Sequence, residues 1–220
     1  MTPQEYDAWY DAPRGKWIGE REYRLAASML ALPAGASLLD LGCGTGWFGR
    51  RFAGDGYAVT GVDPDASSLA FARERMPGIR YLAGDATNLP FPDNAFDGVV
   101  CITVLNFVDD PQRAAAELVR VCRHCFVVGV LNRWSLLYQQ KGRGGGTGGY
   151  AGAHWFTARE LRGLFTGLPV GEVDLRSTVF LPSAGGVAQW LEPRVPACLP
   201  FGSLILISGS KVLPCRRTGE

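Results

Sequence analysis

One stretch, Leu38 to Asp63 (LLDLGCGTGWFGRRFAGDGYAVTGVD), limits what this chain can become. Apolar Leu38, Leu39 and Leu41 make a short buried strand. Gly42, Gly44 and Gly46 follow at alternate positions and permit a tight turn, with a backbone approach that a Cβ would obstruct. A helix beginning between Thr45 and Trp47 aims its free N–H groups and positive dipole end at that turn. Val59, Thr60, Gly61 and Val62 form the next strand. Asp63 closes it where a carboxylate can hold a ribose diol, and Asp40 closes the strand before. The layout is that of a nucleoside site.

Around this stretch the chain alternates strands and helices. A helix follows Pro64-Asp65-Ala66-Ser67 and runs from about Ser67 to Met76, where Pro77-Gly78 stops it. Strands are expected at Ile79–Ala83, Phe96–Ile102 and Cys125–Leu131, with a helix from Pro111 to about Cys122. Such alternation implies a parallel sheet with crossover connections, covered on both faces. Residues 1–35 precede it as a helical flap, with a helix from Ile18 to Leu30 and a hinge at Ala12-Pro13-Arg14-Gly15. Tyr6, Trp9 and Arg14 are its candidate ligand contacts. Beyond Leu131, Gly142 to Gly149 (GRGGGTGG) reads as a mobile loop, and Thr157 caps a short helix from Ala158 to Phe165 with Glu160 completing the box. Two last strands are expected at Val170–Phe180 and Ser203–Ser208, separated by a proline-rich excursion. No repeat and no second domain is visible, so residues 1–220 read as one domain with its ligand-binding core at 36–131 and an acceptor side at 132–220.

Charge and composition narrow the partners. A net charge of +1 with no basic stripe does not suggest nucleic acid. The longest apolar run, around Phe126 to Leu131, is far too short to span a bilayer. The six cysteines are scattered, which suits reduced thiols and a cytoplasmic location. Cys122 and Cys125 form one C-x-x-C, but no second pair supplies structural-zinc ligands, and no metal is expected.

Gly44-Thr45-Gly46-Trp47-Phe48-Gly49 fits the GxGxxG of dinucleotide sites, with Asp63 near the distance of a ribose-binding acid. Two acids point elsewhere. Asp40 inside the first strand's end would repel a diphosphate but suit an ammonium or a sulfonium. Gly84-Asp85-Ala86 adds a carboxylate after the third strand. Acids ending three successive strands converge on the crevice where open α/β sheets bind ligands, and favour a cationic nucleoside without phosphates.

LLDLGCGTG, GVDPD and GDATNLPFPDNAFDGVVCITVLNFVDD together resemble the successive motifs of class I S-adenosylmethionine-dependent methyltransferases, and within them the small-molecule group called type 11. The likeness is close over residues 36–131. HWFTARELRGLF, RSTVFLP and LILISGS in the tail are also similar. The resemblance implies a Rossmann-like, doubly wound α/β fold: a mostly parallel seven-stranded sheet, helices on both faces, an antiparallel last strand. It implies S-adenosylmethionine as cofactor, S-adenosylhomocysteine as product and a small-molecule methyl acceptor. Carried over by matching positions, the loop Gly42, Cys43, Gly44, Thr45 and Gly46 would pass under the methionine part, with Asp40 supporting it. Asp63 would bind the ribose hydroxyls, with Pro64 beside the adenine. Asp85 and Ala86 would read the adenine edge, and Ile102 and Thr103 would meet the methionine part and open the acceptor pocket.

The chain departs from that pattern in places. Asn106 stands where the family often has a histidine, and no Asn/Asp-Pro-Pro-Tyr/Trp follows the fourth strand, which argues against amide and nucleobase acceptors. His154 is the candidate base, with Tyr150 and Arg133 as weaker ones; the competing reading has His154 capping the helix at Thr157. Trp134, Leu137, Tyr138, Trp155, Phe156 and Trp190 supply aromatic and apolar area for an acceptor pocket. Two other readings remain: a non-catalytic S-adenosylmethionine-binding sensor or partner subunit, and a nicotinamide-dependent oxidoreductase.

Overall fold

The computed structural model describes residues 1–212. Two helices lead the chain, α1 (Pro3–Asp11) and α2 (Pro13–Met29). Thr2 and Glu5 form a reciprocal capping box on α1. The expected hinge at Ala12–Gly15 is only Ala12, which ends one helix and caps the next. Pro13 has the φ and the missing N–H that a first helical position suits, so α2 restarts at once and takes in Arg14 and Gly15. A Cβ on Gly15 would lie 1.9 Å from the Trp9 carbonyl oxygen; glycine is what lets the two helices touch.

Among the described residues seven strands follow: β1 (Ser37–Leu41), β2 (Ala58–Asp63), β3 (Arg80–Ala83), β4 (Phe96–Ile102), β5 (Cys122–Leu131), β6 (Val170–Thr178) and β7 (Leu204–Lys211). Their order in the sheet is β3-β2-β1-β4-β5-β7-β6, with the first five parallel and β7 antiparallel to both its neighbours. Helices α3 (Trp47–Gly54), α4 (Ala66–Arg75) and α5 (Pro111–Val121) make the crossovers. Short α6 (Ala158–Gly163) starts at the Thr157–Glu160 capping box, and α7 (Gly186–Leu191) lies within the proline-rich excursion, where no helix was expected.

Strand β1 explains why the run of leucines is unbroken. It pairs with β2 on one side and β4 on the other, and its faces meet different helices. Leu39 and Leu41 pack toward α5 and α6, in one core with Leu118 and Leu161. Leu38 faces the other way, in a core with Ala26, Phe52 and Leu69 from α2, α3 and α4. A strand covered on both faces reads as continuous apolar sequence. Cutting one of these buried leucines to alanine costs about 2–5 kcal/mol.

The glycine-rich segment expected as a mobile loop has a defined path. One π-turn (Tyr138–Gly142) leads into 3₁₀ turns at Arg143–Gly145 and Gly148–Tyr150. Gly146 sits at φ +82°, where a Cβ would collide with the Tyr150 carbonyl oxygen at 2.0 Å. The glycine there serves a specific turn. Among the described residues no helix is long and apolar enough to cross a membrane.

Candidate active site

The chain builds β1, β2 and β3 outward in one direction, then returns to place β4 on the other side of β1. At such a switch point the loops leaving the strands part and open a crevice. Here the ends of β1, β2 and β4 border a cavity of about 450 Å³. Asp40, Gly42, Cys43 and Gly44 line it from β1, Asp63, Pro64 and Asp65 from β2, and Ile102 and Thr103 from β4. Tyr6 and Tyr10 of α1 close it from above, with Trp47 and Phe48 of α3. Tyr10 stacks on Trp47 with ring centres 4.2 Å apart.

The glycine loop is held by its backbone. Gly42 donates its N–H to the Val62 carbonyl at 2.7 Å and sits at φ +71°. A Cβ there would come within 2.1 Å of Val104 Cγ2. Gly44 donates its N–H to Asp63 Oδ2 at 2.8 Å, while Asp63 Oδ1 accepts the Asp65 N–H at 2.9 Å. Asp63 thus ties the loop to the end of β2 and keeps carboxylate lone pairs for a ligand. Burial raises its pKa, and those two N–H groups oppose the rise.

Asp40 has no such support. Its Oδ2 is buried without a hydrogen-bond partner; the Gly49 N–H faces the carboxyl group without forming a hydrogen bond to that oxygen. Burial pushes its pKa up to about 7, the Gly49 N–H pulling it down and the Asp63 charge adding to the rise. Asp65, held by the hydroxyls of Ser68 and Ser67, is pulled down to about 2. Three carboxyl groups therefore line the cavity, and among the described residues no lysine or arginine does. The cavity favours a cation and disfavours a pyrophosphate.

The third of these acids is not the one expected. Asp85 lies at the end of β3, exposed and outside the cavity, its carboxylate accepting the Thr87 N–H at 2.8 Å. That bond lowers its pKa. Asp65, the N-cap of α4, takes the third place because β2 ends directly at the cavity while β3 is one strand further out. Ala86, Thr45 and Gly46 also lie off the cavity wall. Thr45 is buried, its hydroxyl donating to Asp7 Oδ1 at 3.0 Å. Asp7 comes from α1, is itself buried, and accepts Arg50 Nη2 at 2.7 Å through the same oxygen. This contact pins the N-terminal helix to the glycine loop.

A second cavity, of about 580 Å³, adjoins the first. Met1, Tyr6, Tyr10, Thr103 and Phe107 line both. Its own walls include Trp9, Arg14, Ile18 and Glu22 from the N-terminal helices, Leu137, Lys141 and Tyr150 from the segment after β5, and Val179 after β6. Thr103 and Val179 both hold φ +61°. A β-branched residue in that region carries strain, about 1–3 kcal/mol. Thr103 is fixed by its N–H to the Gly129 carbonyl at 2.7 Å and stands where the two cavities meet.

Of the flap residues, Tyr6 lines both cavities, while Trp9 and Arg14 line the second. His154, the expected base, lines neither. It is exposed, its ring meets Phe156 edge-on, and its backbone N–H and C=O pair with the Asn106 carbonyl and side-chain amide at 2.7 Å each. Asn106 also accepts the Leu131 N–H, so this residue clamps the loop after β4 to the end of β5. Of the expected acceptor-pocket residues only Leu137 lines the second cavity. Trp134 and Trp190 are exposed, Phe156 is core, and Tyr138 and Trp155 pack edge-on to each other. Arg133 spends its guanidinium on the Trp155 carbonyl and Glu160.

Sequence reasoning missed Glu22, Tyr10 and Asp7. The signal for Glu22 was present: Arg14, Ile18 and Glu22 are spaced by four and share one helix face, and all three line the cavity. Counting only apolar spacings on α2 passed over that face.

A family profile described as "Methyltransferase domain" matches residues 39–125. A solved structure from Thermotoga maritima, described as a "SAM-dependent methyltransferase, possible histamine N-methyltransferase", is 30% identical, with a TM-score of 0.78, 94% of this chain and 95% of that one covered. The chain belongs to the class I S-adenosylmethionine-dependent methyltransferases. Among curated relatives, the demethylmenaquinone methyltransferase of Renibacterium salmoninarum is 37% identical over 46% of this chain and 42% of its own length. The malonyl-[acyl-carrier protein] O-methyltransferase of Pectobacterium atrosepticum is 42% identical over 46% of this methyltransferase and 39% of its own length. The chain thus matches about two fifths of the length of those relatives. Its cofactor is S-adenosylmethionine, and the fold is the family's Rossmann-like sheet.

Proposed function

We propose that this methyltransferase binds S-adenosylmethionine in the first cavity and passes its methyl group to a small molecule held in the second. The observation that carries the reading is the junction: two cavities of different character share Thr103, Tyr6 and Tyr10. A cavity for an acceptor beside that of the cofactor favours catalysis over a sensor that only binds. The first cavity fits the cofactor on its own chemistry: an orphaned carboxyl at Asp40, a loop that only glycine can form at Gly42, and no lysine or arginine among the described residues on the wall.

S-adenosylmethionine supplies, when bound, a methyl group already activated on a sulfonium. The chain's residues then bind, orient and exclude water. Asp63, on the cavity wall, accepts the ribose hydroxyls in this reading, with Pro64 against the adenine. Asp85 and Ala86, beyond the β3 edge of the cavity, are available to the adenine rim. The loop Gly42–Gly46 carries the methionine part, with Asp40 countering positive charge, and Thr45 supports it from below through Asp7. Ile102 and Thr103 set the direction in which the acceptor must approach. Tyr6 and Tyr10 cover the junction.

The relatives' names do not choose the acceptor, since they point to different nucleophiles. Calorimetry tests the first half of the reading: S-adenosylhomocysteine binds and nicotinamide adenine dinucleotide does not. A screen of a metabolite extract with labelled donor tests the second, with a methylated small molecule expected. Binding of the dinucleotide alone would end this proposal.

A further inference from the structure

Resting on the reading of the second cavity as the acceptor site, we infer that the acceptor carries a basic nitrogen, which the Glu22 carboxylate holds inside a ring of aromatic side chains. Glu22 lies on the cavity face of α2. Among the described residues its carboxyl group has neither a hydrogen bond nor an ion pair. It keeps some accessible surface because it opens into the cavity, yet the surrounding protein is dense, and burial alone pushes its pKa up to about 8.

Aromatic residues line the cavity with it. Tyr6 and Tyr10 come from α1 and Tyr150 from the segment after β5, each near enough for the Glu22 charge to act on a hydroxyl whose pKa burial has already raised. Trp9 completes the wall. Two cationic side chains and Met1, with the N-terminal amine, line the same cavity, but none of these charges lowers the Glu22 pKa. Arg14, about two turns away on the same helix, donates Nε to the Pro182 carbonyl at 2.8 Å, and its charge acts on Tyr150. Lys141, from the π-turn, does not lower the Glu22 pKa.

A carboxyl group in this position is costly until a cation joins it. Ring faces of tyrosine and tryptophan attract the same cation. A neutral alcohol of equal shape gains neither effect, and an acid would add a second negative charge beside the first. The cavity therefore selects an aliphatic or aryl-alkyl amine by charge before shape.

The test is calorimetry on the full chain with S-adenosylhomocysteine present throughout. Phenethylamine and tryptamine are compared with phenethyl alcohol and 3-phenylpropanoate. The amines bind at least tenfold tighter than the alcohol or the acid, and their affinity rises about 50-fold from pH 6 to pH 8 as Glu22 no longer has to release a proton. Glu22→Gln, shown folded by thermal unfolding, removes both the preference and the pH dependence. The wild-type comparison and pH profile stand even where the variant does not fold. Equal or tighter binding of the alcohol or acid, no binding by any of the four, or an amine preference kept in Glu22→Gln overturns the inference. Failure of S-adenosylhomocysteine itself to bind overturns the reading of the first cavity instead.

Discussion

The two cavities share a wall but are made in opposite ways. The first has its floor in strand ends within one contiguous stretch plus β4, with α1 closing it, and backbone does most of the holding: N–H groups of Gly42, Gly44 and Asp65, positive φ at the glycines. The second draws on side chains as far apart as Glu22 and Val179, brought together only by the finished fold. Backbone geometry restricts residue type at each position, so the first cavity is written in a motif. A wall of side chains tolerates many choices. On the proposed reading, the cofactor end of this protein is constrained locally and the acceptor end globally.

Asp7→Ala attacks the link between them and has the largest expected effect. It strips Arg50 and Thr45 of a buried carboxylate, a loss of about 3 kcal/mol, because the buried Thr45 hydroxyl is left without its acceptor and the part-buried Arg50 guanidinium keeps only the Thr45 carbonyl. Denaturant unfolding reads it, and affinity for S-adenosylhomocysteine falls too, since α1 covers both cavities. A variant as stable as the parent would show that α1 is not anchored here.

Asp63→Ala confines the damage to the first cavity. Losing the charge-assisted bonds to the ribose costs about 2–3 kcal/mol of cofactor binding, roughly 30- to 150-fold in Kd. Calorimetry with S-adenosylhomocysteine measures it, and an unchanged Kd would make this aspartate purely a brace for Gly44.

Asp40 separates the cavities by pH. Its folded pKa of about 7 lies above an unfolded carboxylate near 3.9. Between about pH 4 and 7 the folded protein keeps a proton that the unfolded chain has released, so its contribution to stability is present below that window and lost as pH rises through 7. Asp40→Asn removes that share of the decline. Affinity for the sulfonium cofactor, by contrast, increases over the same range as the carboxyl ionises. A flat profile for both would contradict the buried, unpartnered geometry.

The smallest effect is expected at His154. It is exposed and outside both cavities, so His154→Ala keeps methyl transfer within a factor of about two, read with labelled donor against a metabolite extract. A tenfold loss would return it to the chemistry.

The same contrast decides what could be read beforehand. Strand β4 lies at Phe96–Ile102 as the alternation of elements required, and the Thr157–Glu160 box starts α6. Asp40, Asp63, Gly42 and Gly44 line one cavity because each residue type answers a local need of the turn. Asp85 was placed by counting strand ends, which says nothing of how far β3 stands from the crevice. His154 was chosen for its chemistry, but its backbone is committed to Asn106, a contact across 48 residues that no local pattern encodes. Trp134 and Trp190 show the same limit: an aromatic residue outside a periodic apolar pattern gives no sign of whether it turns inward. Glu22 was legible only as a spacing of four from Ile18, on a face whose burial depends on the second half of the chain.

A crystal structure with S-adenosylhomocysteine tests the central claim most directly. The account predicts the nucleoside in the first cavity with its ribose hydroxyls on Asp63, and the sulfur at Thr103 facing the second cavity. A ligand seated in the second cavity, or a sulfur turned away from it, would contradict the division into cofactor and acceptor sites.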